Sequence, residues 1–156
     1  MITIDELMTA DPHTLTENDT IQDARAIMTE KHIRHIPITD NDMHVLGLVT
    51  QRDVLQATDP KSEEQDSVRL SEIMIRNVKV IHQSDSVRQA AIYLRSHKYG
   101  CLPVVSEGAL VGIITDSDFI EIAINLLEQL EIAEELPDME PEDMDDFEMP
   151  VPEDYS

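Results

Sequence analysis

Basic residues are scarce in this chain: 11 Lys and Arg stand against 33 Asp and Glu, a formal net charge of −22. Such a chain repels a phosphate backbone at long range, and no basic stripe or basic helix offsets the field, so no nucleic-acid partner is expected. Aromatics make up only 3% of 156 residues and tryptophan is absent, so the core has to be aliphatic. Cys101 stands alone, which leaves no disulfide framework and no cysteine-based zinc site. Beside Pro103 it reads as a small buried hydrophobe rather than a reactive thiol. No apolar run approaches the ~20 residues of a membrane span. The N-terminus lacks the basic-then-apolar pattern of a signal peptide, and a cytoplasmic location with no membrane contact is expected. Catalytic patterns are missing as well. There is no Gly-rich P-loop, no Gly-x-Ser-x-Gly elbow and no nucleophile–base pair. The six histidines are scattered, with only His32 and His35 close together, so neither catalysis nor a metal site is expected.

Glycine is scarce too, with four in the chain, and two of them open one recurring heptad. Gly47-Leu48-Val49-Thr50-Gln51-Arg52-Asp53 returns as Gly112-Ile113-Ile114-Thr115-Asp116-Ser117-Asp118. The match extends well beyond the heptad. Met8 falls on Met74, Asp19 on Asp85, Ala24 on Ala90, Ile36 on Leu102 and Pro37 on Pro103, all at a shift of 66. Between Pro37 and Gly47 the shift drops to 65, in a polar stretch where a β-hairpin turn tolerates a length change. The chain is an internal duplication.

Each copy reads in the same order. Thr3-Ile4-Asp5-Glu6 looks like a capping box opening a short helix through Met8, ended by Asp11-Pro12. Asp19 is expected to cap a helix whose apolar face is Ile21, Ala24, Ile27 and Met28. Strand-like runs follow at 33–39 and 44–50, then a second helix around Val54-Leu55. Residues 58–67 form a polar linker. The second copy repeats the order: a short turn at 71–74, strands at 78–81, 101–105 and 109–115, helices at 85–97 and from Asp116. That last helix carries Phe119, Ile120, Ile122, Ile124, Leu126, Leu127, Leu130 and Ile132, apolar around much of its circumference. Such a helix is expected to be buried on more than one side, which points to a second chain. Residues 137–156 hold nine carboxylates and no basic residue, and read as an acidic disordered tail.

Thr-x-x-Asp at a strand-to-helix junction has two readings. It is a capping box, with the hydroxyl on the amide three residues on and the carboxylate reaching back. It is also a ligand corner, because a hydroxyl suits a phosphate or ribose oxygen and an acceptor-only carboxylate suits a ribose diol. The repeated glycine would permit close backbone approach. Ligand phosphates would require cations, and the candidates are Arg34, His35 and Arg52 in the first copy with Lys79 and Lys98 in the second. Each is equally readable as a surface side chain. Arg34-His35 aligns with Gly100-Cys101 and His13 with Lys79, so the two corners should differ.

The Met8-Thr9 ending, the helix after Asp19, the strands Ile36-Pro37-Ile38 and Leu102-Pro103-Val104, and the paired heptads together resemble the CBS domain in tandem, a Bateman module. The layout is most similar to stand-alone bacterial CBS proteins of the acetoin-utilisation type B group. The resemblance covers most of the chain and implies an α+β fold of two β-α-β-β-α units related by pseudo-twofold symmetry. On this basis 1–57 form the first CBS domain, 58–67 the linker, 68–127 the second domain, 128–136 a helical extension and 137–156 the tail. It further implies a homodimer and adenosine-type ligands in clefts between the repeats, such as AMP, ADP or ATP, acting as regulators with no cofactor required. Ligand contacts would then come from Thr50, Asp53, Thr115 and Asp118, with His13, Arg34, His35, Pro37, Arg52, Lys79, Val80, Tyr99, Cys101 and Pro103 around them. Tyr99 could stack on a base or simply pack in the core. The expected function is ligand sensing that signals to an unidentified effector protein. The alternative is a non-catalytic dimeric scaffold with vestigial clefts, acting through its acidic tail.

Overall fold

The computed structural model describes residues 2–58 and 67–135; the polar linker (save Thr58 and Ser67) and the acidic tail lie outside them. The chain runs α1 (Ile4–Leu7), β1 (Thr9–Ala10), α2 (Ile21–Lys31), β2 (His35–Thr39), β3 (Val45–Thr50) and α3 (Gln51–Ala57). A 3-10 turn (Leu70–Glu72) leads to β4 (Ile81–His82), α4 (Val87–Ser96), β5 (Cys101–Ser106), β6 (Ala109–Thr115) and α5 (Asp116–Glu135). The duplication is therefore a structural one, and the fold is the mixed α and β architecture read from the repeat.

Helix starts differ from the expectation by one residue. Asp19 does not cap α2, because its carboxylate accepts from the Thr16 backbone N–H at 2.7 Å and closes the preceding turn. Thr20 is the cap instead, forming a full box with Asp23. In the second repeat Asp85 likewise accepts from the His82 N–H, and Ser86 caps α4 through the Gln89 N–H. Thr3 precedes α1 but makes no side-chain cap bond. The hairpins explain the one-residue indel. In the second, Glu107 and Gly108 have φ of 51° and 82° and form a tight two-residue turn. The first is longer, and Asp40 Oδ1 holds it by accepting from the N–H groups of Asp42 and His44.

The two repeats interlock. The sheet of the second repeat has the order β1-β6-β5-β4, and β1 comes from the first repeat, with Thr9 opposite Ile113 and Ala10 opposite Gly112. The first repeat's hairpin, β2 with β3, is bridged on one side by Leu15 and on the other by Ile75. Ile75 is the duplicate of Thr9. Leu48 and Ile75 exchange backbone N–H···O bonds of 3.0 and 2.8 Å. Each repeat thus lends its leading segment to the other's sheet. The cores follow the same exchange. Leu70 and Met74 pack with Ile21, Ala24, Met28, Ile36, Ile38 and Val49, whereas Ile4 packs with Ile81, Ala90, Leu102, Val104 and Ile114, with Leu7 and Met8 against them. Both clusters are aliphatic, as the scarcity of aromatics requires.

This exchange gives the repeated glycines their role. A Cβ on Gly47 would lie 2.7 Å from the Ile75 carbonyl oxygen and 2.8 Å from Met74 Sδ, and one on Gly112 would overlap Met8 Sδ and lie 3.0 Å from the Thr9 oxygen. The close backbone approach that these glycines permit is that of the other repeat's crossing segment rather than of a ligand.

Helix α5 departs from expectation. None of its side chains is buried. Ile120, Ile124, Leu126, Leu127, Leu130 and Ile132 are all about half exposed, so this chain's described residues do not cover its apolar surface. The two compact units of the chain divide within this helix, after Ile120. No helix among the described residues is long and apolar enough to cross a membrane.

Candidate functional site

The strand-to-helix junctions of both repeats open into one cleft of about 790 Å³, within the unit that ends at Ile120. The first repeat contributes His32, Ile33, Arg34, His35 and the corner Thr50-Gln51-Arg52-Asp53. The second contributes Lys98, Tyr99, Gly100, Ile113 and Thr115-Asp116-Ser117. Thr9 and Ile75, the two exchanged segments, complete the walls.

At the first corner the capping box is complete. Thr50 Oγ1 donates to Asp53 Oδ2 at 2.8 Å and accepts from the Asp53 N–H at 3.2 Å, while the Thr50 N–H donates to the same Oδ2 at 2.9 Å. The second corner is looser. The Thr115 N–H reaches Asp118 Oδ2 at 2.8 Å, but the hydroxyl is 3.4 Å away. In both, one carboxylate oxygen does the capping and the other has no hydrogen bond among the described residues. The capping reading holds for Asp53, which closes the start of α3 through Oδ2 and is also one of the residues lining the cleft.

Arg34, Arg52 and Lys98 line this cleft, and their side chains form no hydrogen bond or ion pair with any described residue. Three such cations thus gather at one cavity of a chain with three carboxylates for every Lys or Arg. His35 spans the cleft floor. Its Nε2 donates to the Tyr99 carbonyl oxygen at 2.8 Å, linking the repeats. Burial pushes its pKa below 6.5, with the Tyr99 carbonyl and Asp116 opposing and the Arg34 charge reinforcing the shift, so the ring is neutral near pH 7.

The other expected contacts are distributed differently. Pro37 and Pro103 are buried mid-strand, and Cys101 is buried in β5 with its thiol pushed up to about 12 by burial. None of the three lines the cleft, and neither do His13, Lys79, Val80 or Asp118. Lys79 is occupied: its Nζ lies 4.1 Å from the Tyr93 ring centroid, and its backbone N–H donates to the Tyr99 hydroxyl at 2.9 Å. Tyr99 also packs against His97, with ring centroids 5.8 Å apart, so its ring is held in an aromatic cluster while its backbone faces the cleft. Lining residues outside the expected set include Gln51, Asp116 and Ser117. They are the x positions of Thr-x-x-Asp, and at the start of a helix those positions face outward from the strand end. Three potential metal ligands, Asp40, Asp42 and His44, come together in the first hairpin loop. There Asp40 is engaged by the loop's N–H groups and by His44 Nδ1 at 2.9 Å, which holds its carboxyl below the usual range.

Two β-α-β-β-α repeats that exchange leading segments and share a cleft lined by both Thr-x-x-Asp corners define a tandem ligand-cleft module. Family comparison agrees: the CBS domain matches twice, over residues 4–59 and 70–125. The chain belongs to the CBS-domain family. Among solved structures it is similar to an acetoin utilization protein (AcuB) assignment from Vibrio cholerae, 45% identical with a TM-score of 0.73, covering 88% of this chain and 99% of that one. It is similar too to the CBS domain pair of protein MJ0100 in complex with 5′-methylthioadenosine and S-adenosyl-L-methionine. That pair is 27% identical with a TM-score of 0.71, over 80% of this chain and 98% of that one. A curated relative, homoserine O-acetyltransferase of Methanococcus vannielii, is 31% identical over 113 residues, 72% of this chain. The chain spans only 23% of that enzyme's length.

Proposed function

We propose that this protein is a non-catalytic regulatory module that binds an adenosine-containing ligand between its repeats and signals to a separate effector protein in the cytoplasm. The observation that carries this reading is the cleft itself. Three cations whose side chains are unpaired among the described residues, Arg34, Arg52 and Lys98, line a cavity together with Asp53, which has one carboxylate oxygen uncommitted, a pairing of phosphate and ribose-diol chemistry. The MJ0100 pair, solved with two adenosine compounds, supports the ligand class. Because the lining is drawn from both repeats and from both exchanged segments, a ligand that prefers one packing of the repeats shifts their equilibrium. No cofactor is required. The module works as a homodimer that uses the exposed apolar face of α5. Glu121, Glu128 and Glu135 lie seven residues apart on one line of that helix, and Ala123, Leu126, Leu130 and Ala133 lie on the opposite side.

A thermal-shift screen with AMP, ADP, ATP, 5′-methylthioadenosine and S-adenosylmethionine tests the reading. A ligand at ~100 times its Kd adds about 2.7 kcal/mol. Asp53→Ala is expected to remove the shift while the variant stays folded, and Asp118→Ala is expected to do so for any ligand held at the second corner. The absence of a shift with every compound, using ligand-free protein, sinks the sensing reading. The alternative, a non-catalytic dimeric scaffold with vestigial clefts that acts through its acidic tail, would then be the reading to pursue.

A further inference from the structure

The two corners of the cleft are unequal in charge, and the inequality sits at positions the duplication makes equivalent. Where the first repeat has Arg34, the second has Gly100; where it has Gln51 and Arg52, the second has Asp116 and Ser117. All six residues line the cavity. The difference at Gly100 and Asp116 is a matched pair. Gly100 has φ of +69°, and a Cβ there would lie 3.2 Å from Asp116 Oδ2. A side chain at position 100 would be strained by this backbone and would crowd Asp116, whose carboxylate would have to give way by a few tenths of an ångström. The Asp116 backbone N–H bonds the Gly100 carbonyl at 3.2 Å and fixes the two together. The Asp116 carboxylate itself is exposed, makes no hydrogen bond or ion pair among the described residues, and is free to face a ligand. Its charge is felt across the cleft floor, where it acts on His35 alongside Arg34 and Asp53.

Asp53 and Asp116 thus stand against Arg34, Arg52 and Lys98 around a single cavity; the first repeat supplies two cations and one carboxylate, the second one of each. We propose that Asp116 is a specificity residue that confines the cleft to an adenosine ligand with one short anionic group, and that it rejects longer polyphosphates. This rests on the nucleotide-binding reading above. A monophosphate is satisfied at the Arg34–Arg52 side. Each further phosphate must extend toward the second repeat, where the Asp116 carboxylate offsets Lys98, the one Lys or Arg that repeat gives the lining, inside a protein that is already strongly acidic.

Isothermal titration of AMP, ADP, ATP and adenosine, without divalent cation, tests this on the wild-type chain and on Asp116→Asn and Asp116→Glu. The wild type is expected to bind AMP about tenfold or more tightly than ATP. Asp116→Asn, which keeps the size and removes the charge, is expected to raise ATP affinity by about tenfold with little change for AMP and none for adenosine. Asp116→Glu is expected to retain the AMP preference, a rescue that a merely structural role would not produce. ATP binding as tightly as AMP in the wild type, or an unchanged ATP-to-AMP ratio in Asp116→Asn, overturns the role of Asp116 and leaves nucleotide sensing in place. If no adenosine compound binds any of the three proteins, the sensing reading itself fails and this inference with it.

Discussion

Asp53 divides its two oxygens between stability and recognition. Oδ2 is committed to the Thr50 N–H and hydroxyl, so any substitution at Asp53 removes part of a helix cap, worth about 1 kcal/mol, as well as a ligand contact. His35 is the residue whose chemistry changes most in the fold. Burial lowers its pKa, so between the folded value and 6.5 the unfolded chain binds more protons than the native one. Stability therefore rises with pH through that window. The contribution is complete above 6.5 and is lost as pH falls below it. Urea unfolding as a function of pH is expected to show this slope in the wild type and to lose it in His35→Gln. Asp40, whose pKa is lowered by its bonds to His44 and Asp42, contributes stability that is present above 3.8 and lost as pH falls below it. Thr50 and Asp53 were legible as a cap or a ligand corner from spacing alone. His35 was legible as a cation candidate but not as a neutral bridge to Tyr99, because that role depends on burial and on a carbonyl 64 residues away.

At the level of elements, the duplication foretold two hairpins, two helices before them and the two strand-to-helix junctions, and those are present. It did not foretell which sheet each leading segment joins. A sequence repeat marks equivalence, and equivalent segments can pair at home or across. Gly47 and Gly112 carry the consequence. Gly47→Ala and Gly112→Ala are each expected to cost about 1–3 kcal/mol through overpacking, read as a fall in the urea midpoint. Gly47→Ala should be the worse. Its Cβ meets the Ile75 backbone oxygen at 2.7 Å, whereas at Gly112 the backbone oxygen is 3.0 Å away and the nearer atom ends a flexible methionine. Equal small effects would show that the crossing segments are loosely held. The N-caps of α2 and α4 were misplaced by one residue for a related reason. Asp19 and Asp85 are competent caps, but each is taken by the turn before its helix.

For the whole molecule, exchanged segments make the two repeats one folding unit, since neither sheet is complete without the other repeat's segment. The expectation that α5 is buried on several sides is not met within the described residues of one chain, where its apolar side chains stay exposed; the proposed dimer would cover them. Leu127, 58% exposed, is the test position. Leu127→Glu is expected to shift sedimentation toward the monomer at concentrations where the wild type is dimeric, with the unfolding midpoint of the monomer unchanged. A variant that still sediments as the wild type removes α5 from the interface.

Residue order by itself determined the duplication, the aliphatic cores, the two Thr-x-x-Asp corners and the family, because these depend on local pattern and on period. Tertiary structure decided that the two corners share one cleft, that Gly47 and Gly112 admit crossing backbone, that Lys79 is diverted to Tyr93, and that Gly100 and Asp116 are a matched pair. Each of these is a contact between residues distant in sequence or a consequence of burial. Local pattern carries no record of either until the repeats have closed on each other.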